Sequence, residues 1–87
     1  MTATYVLNYA DSGAVSEFAA DTDDAAIEHA LGLLGDDGSM VVADQWDADG
    51  KNDDDQPMER LLIWADEESA QDDPGARSIA QLSVVRA

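Results

Sequence analysis

The densest chemistry in the chain is Asp47-Ala48-Asp49-Gly50-Lys51-Asn52-Asp53, where an Asp-x-Asp-Gly run with a further carboxylate has the composition of a loop that wraps a hard cation. Setting Gly50 at the turn position of a calcium loop makes Gln45 the first ligand and Gln56 the last, and both should be acids. The flanks also read as strands rather than helices. A solvated acidic hairpin loop is therefore expected here, and no metal or cofactor is assigned. Acid and base catalysis needs two carboxyls whose surroundings push their pKa values apart, which requires burial. Asp23/Asp24, Asp36/Asp37, Glu67/Glu68 and Asp72/Asp73 all fall in turns, loops or a helix first turn, so they read as solvated surface. The single histidine, His29, lies about 200° around its helix from Ile27 and is expected to face water. With no cysteine and no glycine-rich phosphate loop, the chain shows no nucleophile and reads as a protein that is not an enzyme.

The elements that would carry these residues follow from pattern. Thr4 to Tyr9 has the aromatic and β-branched content of a strand, Asp11-Ser12-Gly13 has turn chemistry, and Ala14 to Ala19 can return antiparallel. Asp21 or Thr22 can cap a helix over 22–34, on which Ile27, Ala30, Leu31 and Leu34 form one stripe and Gly35 suits the left-handed residue past its end. Met40 to Trp46 reads as a third strand, 47–57 as an acidic loop, and Met58 to Ala65 as a central strand apolar on both faces. A second acidic loop over 66–75 ends in Pro74-Gly75, and a last strand runs from about Arg77 to Arg86. The expected fold is α+β: an antiparallel sheet of about five strands, order ββαβββ, with one helix on one face, as a single domain over 1–87.

One helix covers only one side of such a sheet. Leu61 and Ile63 point to one face, Leu62 and Trp64 to the other, so the second face is either a contact surface or the seam of a homodimer. Trp64, inside an apolar run, reads as core. Trp46 is either an interface anchor rimmed by acids or a residue buried under the neighbouring loop.

The 87 residues carry 20 Asp+Glu against 4 Lys+Arg, a net charge of −16. That sign excludes direct binding of nucleic acid or of an anionic membrane face. No apolar run approaches a membrane span, and Met1 to Tyr5 lacks the regions of a signal peptide, so a cytoplasmic protein is expected. Size, acidity, the absence of catalytic groups and the hairpin organisation make the chain similar to small phage and mobile-element inhibitors, including anti-CRISPR proteins and other DNA mimics. The segment Glu17 to Glu28 also resembles the strand-to-helix junction of many small bacterial proteins. The resemblance implies a partner with a basic, nucleic-acid-binding surface. The residues expected to face it are Asp44, Trp46, Asp47, Asp49, Asp53, Asp54 and Asp55, with Asp66, Glu67 and Glu68 from the second loop. If strands three to five form a meander, those two loops lie at opposite ends and the first is the main contact. The competing expectation is that acidity adapts the protein to a high-salt solvent, since Asp outnumbers Glu and Lys51 is the only lysine.

Overall fold

The computed structural model describes residues 2–36, 38–72 and 78–86. Its fold is α+β. Strands β1 (Ala3–Tyr9) and β2 (Val15–Ala20) form the first hairpin and are followed by helix α1 (Asp23–Leu34). Then come β3 (Val41–Val42), β4 (Asp47–Lys51), β5 (Pro57–Trp64), a short helix α2 (Glu67–Asp72) and β6 (Ala80–Val85). The sheet is antiparallel with spatial order β2, β1, β6, β5, and the outer edge of β5 is shared by β3 and β4. Among the described residues no helix is long and apolar enough to cross a membrane.

The expected antiparallel sheet of about five strands is present with six strands among the described residues, the additional one lying inside the expected 47–57 loop. The expected strand Met40 to Trp46 shortens to Val41–Val42, which pairs with Trp64 and Ile63; the chain bends through Asp44 and Gln45 and resumes pairing at Asp47, opposite Arg60. Aspartates disfavour strands in general, but on an edge their side chains reach water while the backbone still bonds to β5. A register shift between Ala48 and Lys51, with Gly50 at φ 75°, bends this edge and blunts it against pairing with another chain. The expected loop over 66–75 likewise contains α2, whose start is capped by Asp66: its Oδ1 accepts the Ser69 amide at 2.8 Å. Pro74-Gly75 and Arg77 lie outside the described residues, and the last strand is shorter than expected.

Helix α1 begins and ends on the signals in its sequence. Thr22 accepts the Ala25 amide at 3.1 Å, and Gly35, at φ 76°, closes the other end. Ala26 and Ala30 are fully buried against Tyr5, Leu7, Leu61, Ile63, Ala80, Leu82 and Val84, all on one face of the sheet. Ile27, Leu31 and Leu34 flank this contact half-buried, so the expected stripe packs with Ala26 added. Two alanines at the centre let the helix sit close to the sheet.

Candidate interaction surface

The 52–56 turn is organised by Asn52. Its Oδ1 accepts the amides of Asp54 at 3.0 Å and Gln56 at 2.9 Å, its amide nitrogen donates to Gln56 Oε1 at 3.1 Å, and its backbone N–H bonds to the Gln56 carbonyl at 3.0 Å. Asp55 takes a left-handed backbone, φ 62°, which aspartate tolerates better than most residues. With the Asn52, Asp54, Asp55 and Gln56 amides bonded within the turn, the carboxylates of Asp53, Asp54 and Asp55 project into water, and Lys51 lies 3.4 Å from Asp55. In β4 the chain is extended, so Asp47 and Asp49 are spaced about 7 Å apart along it rather than wrapped around a point. Among the described residues no group of three or more His, Asp or Glu is placed to hold a metal ion.

Asp44 is exposed in the bend before β4, Asp47 is exposed on the edge, and Asp49 is half-buried. These residues and the 53–55 turn form an acidic margin along the outer edge of β5, interrupted by Lys51 and Asn52. Asp66, Glu67 and Glu68 do not join it. They follow the end of β5, whereas the 53–55 turn precedes its start, so the two acidic groups lie at opposite ends of the sheet. Glu67 and Glu68 sit exposed in the first turn of α2, where they complement the helix dipole.

Trp46 is half-buried and packs inward. Its ring lies 5.0 Å from the Arg86 guanidinium carbon and 6.2 Å from the Tyr5 ring, so it is part of a polar clasp that sequence patterns did not mark. Arg86, just past β6, donates two hydrogen bonds to Asp23 in the first turn of α1, at 2.9 and 2.8 Å, and a third to Glu59 of β5 at 2.6 Å. The Tyr5 hydroxyl donates to the same Asp23 carboxylate at 2.6 Å. The Arg86 hydrogen bonds hold Asp23 below the usual carboxylate range against the opposing effect of burial, while Asp23 in turn raises Arg86. Burial, seconded by the Asp23 bond, raises Tyr5. The available signal was scarcity: with 4 Lys+Arg in the whole chain, an arginine at a strand end has many carboxylates to join.

His29 is exposed as expected, with its ring resting 4.4 Å from Phe18. Trp64 is buried, 6% exposed. Searches with family models, against curated proteins and against solved structures return no match to this chain.

Proposed function

We propose that this is a non-catalytic acidic interaction protein that occludes the basic, nucleic-acid-binding surface of a partner protein, in the manner of DNA mimics and anti-CRISPR inhibitors. The observation that supports this reading is the acidic margin: Asp44, Asp47, Asp53, Asp54 and Asp55 are exposed along one edge and turn, where among the described residues Lys51 lies 3.4 Å from Asp55 and Arg60 stands across the strands from Asp47. The magnitude is also suitable. The molecule is 36 Å along its longest axis, and duplex DNA of that length carries about 21 phosphates, against a net charge of −16 here. A surface of that density is attracted to a basic groove over a long range and competes with nucleic acid for it.

The test is a low-salt pull-down from host lysate followed by a DNA-binding assay on the protein recovered. The expected result is a nucleic-acid-binding partner whose DNA is displaced by this chain. Recovery of a partner that binds DNA equally well with and without the chain overturns the reading. One observation favours solvent adaptation instead, namely that Asp66, Glu67 and Glu68 place charge at the far end of the sheet as well. Under that reading partner contact survives 1 M salt, where the screening length falls to about 3 Å.

A further inference from the structure

The sheet face away from α1 is made of the alternate residues of the same strands, and its pairing register gives it an internal symmetry. One row across β2, β1, β6 and β5 reads Glu17, Val6, Ser83, Arg60. The adjacent row reads Val15, Asn8, Gln81, Leu62. On the other side, Ala19 pairs with Thr4 and Val85 with Met58. In each row the centre lies between β1 and β6. A two-fold axis along the strands at that line would set β2 of one copy over β5 of the other, as in two sheets packed with strands aligned. Arg60 then faces the partner's Glu17, Leu62 faces the partner's Val15, Met58 faces the partner's Ala19, and Asn8 faces the partner's Gln81. Arg60 with Glu17 joins opposite charges, Leu62 with Val15 and Met58 with Ala19 are apolar, and Asn8 with Gln81 is polar, whereas Val6 faces the partner's Ser83; the charged pair is made twice.

Two features of the single chain point the same way. Among the described residues the Arg60 side chain forms no ion pair, although Asp47 stands opposite it across β4, and its Nε is buried without an acceptor. Val15 is 63% exposed on the outermost strand, the largest exposure of any large apolar residue described.

We propose that the protein forms a two-fold dimer through this open sheet face, with Arg60 of each copy paired to the partner's Glu17 and Val15 seated on the partner's Leu62. Four strands and three rows span about 20 by 20 Å, roughly 800 Å² over both copies, which is below the range of stable specific interfaces and makes the contact a weak, transient one. Association also brings together two chains of net charge −16, so the dimer is weak at low salt and tightens as repulsion is screened. The acidic turn at Asp53 to Asp55 is no part of this contact and stays available to another partner.

Sedimentation equilibrium of the whole chain tests this. A monomer–dimer equilibrium is expected with Kd on the order of 0.1 mM in 1 M NaCl, and weaker association at 0.1 M. Arg60→Glu or Glu17→Arg alone should weaken it by about tenfold or more, and the double exchange should restore it to within about threefold. Val15→Ser, at a site too exposed to threaten the fold, should weaken it about threefold. Circular dichroism melts confirm that each variant is folded. A wild-type chain that remains monomeric at about 1 mM in 1 M salt, or a folded double exchange that fails to recover association, overturns the proposal. So does loss of the dimer on Asp53→Asn, Asp54→Asn and Asp55→Asn, the replacement that tests the partner-binding reading separately.

Discussion

The two faces of the sheet share one backbone yet differ in what their side chains meet: Leu61 and Ile63 of β5 are 1% and 0% exposed beneath α1, while Arg60 and Leu62, their neighbours in sequence, are half-buried on the open side. The covered face is held by apolar packing and closed at one end by the Arg86 clasp. The open face keeps a cation with an unsatisfied nitrogen and a scatter of valine, leucine and methionine. Burial therefore concentrates stability on the covered face, while the other face, although Trp64 and Ser83 on it are each 6% exposed, leaves Arg60 and Leu62 half-buried. A single long helix cannot cover both sides.

The largest test of that division is a pair of truncations. Leu82→Ala, on the covered face at 0% exposure, should cost about 2–5 kcal/mol, through lost burial and the cavity left behind. Leu62→Ala, half-buried on the open face, should cost the monomer about 1 kcal/mol or less. Urea midpoints at low protein concentration measure both. Equal losses would mean that the open face is packed as tightly as the covered one.

A smaller effect separates the carboxylates of the clasp from those of the margin. Asp23→Asn removes the charged partner of Arg86, and since both side chains are about a third exposed, 37% and 34%, the loss is set at about 1–2 kcal/mol near pH 7. Asp23 is lowered in the folded state, so its stabilisation is complete above the ordinary value of 3.8 and is lost as pH falls through the lower folded value. The gap between wild type and Asp23→Asn should therefore begin to narrow below about pH 3.8 and keep narrowing as pH falls further, as read by urea titrations at pH 7 and in steps down to about pH 2. A gap that persists in acid would show that packing rather than charge holds the clasp.

The smallest effect on stability is expected at the margin. Replacing Asp53, Asp54 and Asp55 by Asn should change stability by no more than about 0.5 kcal/mol, upward if relief of self-repulsion dominates. The same replacement should weaken partner binding more than Asp66→Asn with Glu67→Gln and Glu68→Gln, measured by calorimetry at low salt. A reversed order would move the contact to the α2 end of the sheet. Binding that persists undiminished at 1 M salt would remove the carboxylates from recognition altogether.

Local chemistry is strong where a single residue suffices to set a conformation. Thr22 and Gly35 bound α1 as their types imply, and the alternation Leu61, Leu62, Ile63, Trp64 carried the two-faced nature of β5. Density of aspartate misled over 47–57, because an edge strand is stabilised by its neighbour's backbone whatever its side chains prefer. The cap at Asp66 was similarly obscured by the acids around it, although the Ser69 amide lies at capping distance.

Composition and pattern alone therefore determined the α+β class, the helix, the covered face and the overwhelming negative charge, since these depend on residue type and on periods of two and 3.6 along the chain. Tertiary structure decided which acids stand together. It placed Asp23 and Glu59 around Arg86, left Asp53 to Asp55 in water, set Asp66 to Glu68 at the far end, and aligned Glu17 with Arg60 across four strands. Those juxtapositions join residues tens of positions apart through strand register, and register is settled by the packing of the whole sheet against α1.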